Sequence, residues 1–134
     1  MQYSLDHIVL NVKEMETMIG FYIEVLMLAP ERLDAYRAGQ APFPSVRIDP
    51  DTIIDLFPEN LWSKNATENR GAVNLNHFCL AMDKNAWDAL SERLEANGTE
   101  IEEGPVPRWG ARGMGTSIYF RDPEENLIEA RYYE

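Results

Sequence analysis

The run Asp6-His7-Ile8-Val9-Leu10-Asn11-Val12 is short and rich in β-branched and aliphatic residues, the pattern of a buried strand. Met15, Met18, Ile19, Tyr22 and Leu26 then recur at i, i+3, i+4, i+7 and i+11, one stripe of a helix ending before Pro30. Strand candidates follow at residues 32–36, 45–48 and 52–57, the last two joined by the tight turn Asp49-Pro50-Asp51. The order then repeats. Asn76-His77-Phe78-Cys79-Leu80-Ala81-Met82 resembles the first run, with histidine again second. Trp87, Leu90 and Leu94 fall at i, i+3 and i+7 of a helix that Asn97-Gly98 stops. Strand candidates close the second half at residues 99–102, 116–121 and 127–133, with Asp122-Pro123-Glu124-Glu125-Asn126 connecting the final hairpin. Each half reads β-α-β-β-β, so the chain is a tandem duplication of α+β class. Module one takes residues 1–59, a polar linker 60–72, and module two 73–134, in one domain spanning 1–134.

Composition agrees with a packed domain: 134 residues, 45% hydrophobic and 26% charged. No stretch approaches the roughly 18–20 apolar residues that cross a bilayer. The opening Met1-Gln2-Tyr3-Ser4-Leu5-Asp6 lacks a basic segment followed by an apolar run, which leaves a cytoplasmic protein as the expectation. The single cysteine, Cys79, excludes an internal disulfide framework, and its apolar run predicts an inert buried thiol. A formal net charge of −11 argues against nucleic acid and anionic membrane as partners. It does not choose a substrate, because an anionic ligand needs only a local positive site. Two matches to the glycosylation sequon, at Asn65 and Asn97, read as accidental without a secretory signal.

Strand alternation places the polar residues. Ile8, Leu10 and Val12 share one face, and His7 lies on the other with Leu5, Val9 and Asn11. In the second half His77 points away from Phe78, Leu80 and Met82. If the amphipathic helices pack on the apolar sides, both histidines face the opposite surface. The last strand of each half carries a carboxylate in an apolar setting, Asp55 and Glu129, 48 and 52 residues beyond its histidine. Carboxylates rarely sit there unless paired, hydrogen-bonded or bound to metal. A lone strand histidine is usually a satisfied surface or core residue, and a lone glutamate near a C-terminus is usually solvated; symmetrical recurrence is what lifts these four above that reading. Imidazole and carboxylate suit zinc, iron, manganese, nickel or cobalt, and the lack of cysteine ligands argues against a structural thiolate site. Two histidines and one carboxylate with open positions suit a metal that meets substrate.

At these residues the chain resembles the vicinal-oxygen-chelate superfamily, which includes glyoxalase I, fosfomycin-resistance enzymes, extradiol dioxygenases and bleomycin-resistance proteins. The resemblance covers nearly the whole chain. It is most specific in Asp6–Val12, in Phe21-Tyr22-Ile23-Glu24-Val25-Leu26, and in Ile118-Tyr119-Phe120-Arg121-Asp122-Pro123-Glu124-Glu125-Asn126-Leu127-Ile128-Glu129. It implies two βαβββ modules forming a cupped mixed sheet around a divalent metal. It implies His7, His77 and Glu129 as ligands, with Asp55 in the fourth position, and a homodimer. Glyoxalase I normally has glutamate at the fourth position; aspartate is one methylene shorter, which leaves Asp55 to bind directly, to act through water or to serve as a base. Asp55 and Glu129 are the candidates for catalysis. The glycine-rich segment Gly104-Pro105-Val106-Pro107-Arg108-Trp109-Gly110-Ala111-Arg112-Gly113-Met114-Gly115 is the specificity candidate. Arg108 or Arg112 would hold a carboxylate or phosphonate and Trp109 would cover the ligand, against the reading of a mobile, solvated loop. Arg131 shares a face with Glu129 and is placed to neutralise it or to reach substrate.

Two functions follow from the resemblance. One is a divalent-metal enzyme of the glyoxalase-like class acting on a small oxygen-chelating substrate, by lyase or isomerase chemistry first, with thiol or water addition or dioxygenation as variants. The other is a metal-free protein that sequesters a drug, of the bleomycin-resistance type.

Overall fold

A computed structural model describes residues 2, 4–63 and 75–134. The chain divides into two compact units, Met1–Asn69 and Arg70–Glu134. Unit one runs β1 (His7–Asn11), α1 (Met15–Gly20) continuing as a π-helical turn (Phe21–Val25), β2 (Ala29–Glu31), α2 (Leu33–Arg37), β3 (Ser45–Asp49), β4 (Thr52–Phe57) and α3 (Glu59–Trp62). Unit two runs β5 (Phe78–Ala81), α4 (Lys84–Ala96), β6 (Glu103–Gly110), β7 (Gly113–Arg121) and β8 (Leu127–Tyr132). The sheets have the same topology, β1-β4-β3-β2 and β5-β8-β7-β6. In each, the first strand pairs parallel with the last and the other pairings are antiparallel. The helix carries the chain to the far edge of the sheet, and two antiparallel turns bring it back beside the starting strand. The expected α+β duplication is therefore present.

The helices cover one face of each sheet. Leu10, Val46, Ile54 and Leu56 are buried in unit one along with Met18, Ile19, Tyr22 and Val25. In the π-helical turn Leu26 N donates to Phe21 O at 3.1 Å, a wider loop than the α-helical step. In unit two Trp87, Leu90 and Leu94, the predicted stripe of α4, are buried, as are Ile118, Phe120, Ile128, Ala130 and Tyr132 of the sheet. Trp87 Nε1 donates to Ala130 O at 2.9 Å, and its ring meets Tyr132 edge-on at 4.8 Å. Asp83 caps α4, accepting from Ala86 N at 2.8 Å. Among the described residues no helix is long and apolar enough to cross a membrane.

Several expectations change. Residues 32–36 do not form a strand: most of them lie in α2, and the strand is Ala29–Glu31, around the proline read as a helix stop. Pro30 is tolerated because β2 is an edge strand with one unpaired side. The strand expected at 99–102 begins instead at Glu103. The segment 104–115 is neither loop nor mobile coil but the hairpin β6–β7, closed by Ala111-Arg112. Cys79 is exposed rather than buried, because its side chain points to the face opposite the helix. The first part of the linker placed at 60–72 lies within or just after α3, and residues 64–72 fall outside the described residues.

The β7–β8 turn has a strong local determinant. Asp122, buried, accepts from Glu124 N at 2.9 Å, Asn126 N at 3.0 Å and Asn126 Nδ2 at 2.8 Å. The corresponding turn of unit one has Asp49 accepting from Asp51 N at 2.8 Å. Asp122→Ala should cost about 1–3 kcal/mol, since donors lose their acceptor in a sheltered turn. Urea unfolding measures it, and an unchanged midpoint would show that the turn forms without the side chain.

Candidate functional site

The face of each sheet turned away from the helix carries one histidine and one carboxylate, and strand pairing brings them together. The β1–β4 register sets Val9 beside Asp55, and the β5–β8 register sets Cys79 beside Glu129. Each histidine lies two residues earlier on the same face, so it leans along the strand toward the acid. His77 Nε2 lies 3.0 Å from Glu129 Oε1, and His7 Nε2 lies 3.9 Å from Asp55 Oδ2. Both imidazoles are tied back by the preceding residue: His7 Nδ1 donates to Asp6 Oδ2 at 2.7 Å and His77 Nδ1 to Asn76 Oδ1 at 2.6 Å. In the neutral tautomer each Nε2 then carries the free lone pair, the orientation a metal-binding histidine takes from its outer partner. The hydrogen bond to Asp6 raises the pKa of His7, burial opposes it, and the charge of Asp55 adds to the rise.

Both carboxylates are buried and supported by a serine. Ser45 Oγ donates to Asp55 Oδ1 at 2.6 Å, and Ser117 Oγ donates to Glu129 Oε2 at 2.6 Å. Glu129 has a further partner in Arg131, whose Nη2 donates to the same Oε2 at 2.7 Å. Burial pushes the Glu129 carboxyl up, but the bonds from Ser117 and Arg131, the Arg131 charge and the neighbouring His77 ring outweigh it and hold the group below the ordinary range. Burial works against the Arg131 cation too, yet its bond to Glu129 leads a net rise. Partial desolvation beside the sheet and the Glu129 charge push the Cys79 thiol up.

A divalent ion with ligands about 2.1 Å away at right-angled or tetrahedral positions has neighbouring donors about 3.0–3.4 Å apart. The His77–Glu129 pair matches that spacing. The His7–Asp55 pair is wider than it, so these two side chains do not share an ion in this arrangement. Among the described residues, neither half alone gathers three metal-binding side chains.

The residues expected to meet substrate separate into two groups. Arg131 is buried and has both terminal nitrogens occupied: besides Glu129 it donates to Trp109 O at 2.9 Å, Tyr133 Oη at 3.2 Å and Arg108 O at 3.3 Å. Arg112 stacks on the Tyr133 ring at 4.3 Å, at the hairpin tip. Trp109 is 78% exposed. Arg108 is half-exposed, paired with Glu103 at 3.0 Å and over the Tyr119 ring at 5.8 Å. An open pocket of about 490 Å³ adjoins His77, lined also by Asn76, Glu102, Glu103, Tyr119 and Leu127. Ser45, Ser117, Tyr119, Asp6 and Asn76 escaped the sequence reading. Tyr119 lies opposite Glu129 in the ladder and meets the His77 ring edge-on at 5.7 Å. The duplication held a usable signal: an oxygen-bearing side chain precedes each histidine, and a serine precedes each acid by ten or twelve residues.

The Glu129 pKa sets a pH test. Held below its unfolded value, the carboxylate contributes stability that is fully present above the ordinary carboxylate range and is lost as pH falls through the folded value. Glu129→Gln removes the charge facing buried Arg131 and should cost about 3–5 kcal/mol near neutrality. Thermal melts of both proteins should converge as the medium is acidified; a gap that widens in acid would contradict this assignment.

Comparison with known proteins places these features in context. The model of the Glyoxalase/Bleomycin resistance protein/Dioxygenase superfamily matches residues 4–130. The chain is 35% identical over 129 residues to the virulence protein STM3117 of Salmonella typhimurium, covering 96% of this chain and 83% of that one. It is 26% identical over 129 residues to the metallothiol transferase FosB of Shouchella clausii, covering 94% and 77%. Among solved structures, the integron cassette protein VCH_CASS1 from the mobile metagenome of V. cholerae superposes with a TM-score of 0.76 at 31% identity, over 100% of this chain and 98% of that one.

Proposed function

The chain belongs to the Glyoxalase/Bleomycin resistance protein/Dioxygenase superfamily, and from that premise we propose that it is a divalent-metal-dependent enzyme acting on a small molecule with two adjacent oxygens. His7, His77 and Glu129 are the proposed ligands. One observation carries the reading: each histidine has Nδ1 held by the residue before it and Nε2 turned toward a buried carboxylate on the neighbouring strand. A metal of the zinc, nickel, manganese, cobalt or iron kind would supply Lewis acidity to a bound oxygen.

The chain's own residues do the rest. Asp55 keeps Oδ1 on Ser45 and has Oδ2 beyond hydrogen-bond distance of His7, an arrangement suited to taking and returning a proton. Arg108 and Trp109 are proposed to meet the substrate, with Tyr119 beside His77 lining its pocket. Lyase or isomerase chemistry ranks first because all four positions hold histidine or carboxylate. Thiol addition is the second reading, and the likeness to a metallothiol transferase favours it.

Metal content of the purified protein beside His7→Ala, His77→Ala and Glu129→Ala tests the proposal. The expected result is about one ion per chain in the parent and a loss of at least tenfold in affinity in each variant. Turnover is then sought with methylglyoxal and thiols, fosfomycin with thiol or water, and catechols. Equal, negligible metal in all four proteins would sink the enzyme reading, and tight drug binding by that metal-free protein would support sequestration of the bleomycin-resistance type.

A further inference from the structure

We infer that Arg131 is a positioning residue that, with Ser117, leaves Glu129 a single oxygen for metal binding and ties that carboxylate to the main chain of the β6–β7 hairpin. The inference deepens the metal-centre reading above and rests on it.

The geometry separates the two carboxylate oxygens. Oε2 accepts from Ser117 Oγ at 2.6 Å and from Arg131 Nη2 at 2.7 Å, while Oε1 faces His77 Nε2 at 3.0 Å. Two short bonds, one of them charge-assisted, engage both lone pairs of Oε2 and fix the carboxylate plane. A second metal bond through Oε2 would have to break one of them. Glu129 is thus set to bind an ion through one oxygen, which keeps coordination positions open for substrate.

Arg131 is itself held rigidly. Its guanidinium is buried and bridges Glu129 to Trp109 O, Arg108 O and Tyr133 Oη. Tyr133 Oη in turn accepts from Arg112 N at 3.3 Å. Space for this bridge comes from Gly110, where a Cβ would collide with the Arg131 guanidinium and the Tyr133 hydroxyl. The two carbonyls it holds belong to Arg108 and Trp109, the proposed substrate residues. The first half has no such device: two residues beyond Asp55, on the same face of the strand, stands Phe57.

The test compares the full chain with Arg131→Met, Arg131→Lys and Ser117→Ala, each loaded with Co²⁺. Two readouts are taken: visible d–d absorption, and affinity by competition with a chromophoric chelator. Cobalt absorption weakens as coordination number rises, so freeing Oε2 should lower its intensity. Arg131→Met should lose intensity and about 10–100-fold in affinity. Arg131→Lys, which keeps the charge, should fall between it and the parent. Ser117→Ala, which keeps the arginine bridge, should show the same spectral change to a smaller degree and serves if Arg131→Met does not fold. Spectra that superimpose on the parent's, with affinity within about threefold and only the melting temperature lowered, would overturn the positioning role while leaving the metal reading intact. A parent that binds no Co²⁺ would overturn both.

Discussion

Taking a carboxylate out of water costs several kcal/mol unless donors replace its hydration. Glu129 meets this cost from both flanking strands and from its own. β8 lies between β5 and β7, so the acid receives His77 from one side, Ser117 from the other and Arg131 two residues along. Each partner depends on register. A slip of one residue in either ladder would turn Ser117 or His77 to the helix face and leave the carboxylate short of a partner. The apolar face enforces the same register independently, because Ile128 and Ala130 must meet Ile118, Phe120 and the helix residues Trp87, Leu90 and Leu94. Packing on one face and charge compensation on the other thus select a single alignment.

The two halves share a backbone plan and differ in how they neutralise their acid. Asp55 is buried like Glu129 and has a serine across the ladder, but its histidine stays at 3.9 Å and no arginine follows on its strand. Phe57 takes that position and packs against Phe43 at 4.8 Å, while Arg32 lies over the Phe43 ring at 4.5 Å. The methylene missing from aspartate accounts for part of the wider gap. One half therefore holds its carboxylate in a closed network, and the other leaves an oxygen less constrained. A ligand needs the first condition and a proton carrier the second, so duplication followed by this divergence gives two acids suited to different work.

What could be read from the residues alone follows from periodicity. The helix stripes, the strands read at 45–48, 52–57 and 127–133, and the paired positions of His7, Asp55, His77 and Glu129 all come from periodicity within one segment. The partners of those four do not, because Ser45, Ser117 and Tyr119 depend on register between strands, which one segment does not encode. The part of the β6–β7 hairpin over 103–115 is hidden by its composition. Glycine and proline there suggested coil, yet Gly110 is needed to admit the Arg131 guanidinium and Gly115 to let the Tyr132 carbonyl pass close. Glycine marks close approach here rather than freedom. Cys79 misled for a related reason. Its neighbours Phe78 and Leu80 turn to the helix face, and alternation sends the thiol to the polar one.

The same register decides how the pocket near His77 treats charge. Glu102 pairs with Arg121 at 2.9 Å and Glu103 with Arg108 at 3.0 Å, so each acid in the lining already has its cation. Arg131 is cancelled by Glu129. An anionic group approaching Arg108 meets Glu103 at the same time and must share or displace that salt bridge, which in an open, solvated setting is worth no more than about 1 kcal/mol. Arginine alone therefore gives this pocket little preference for anions, in a chain whose formal net charge is −11. Selectivity at this pocket then falls to its shape, with His77, Tyr119 and Leu127 among the walls. Arg108 is held by Glu103 beside the pocket, and any anion that draws on its charge must compete with that pair.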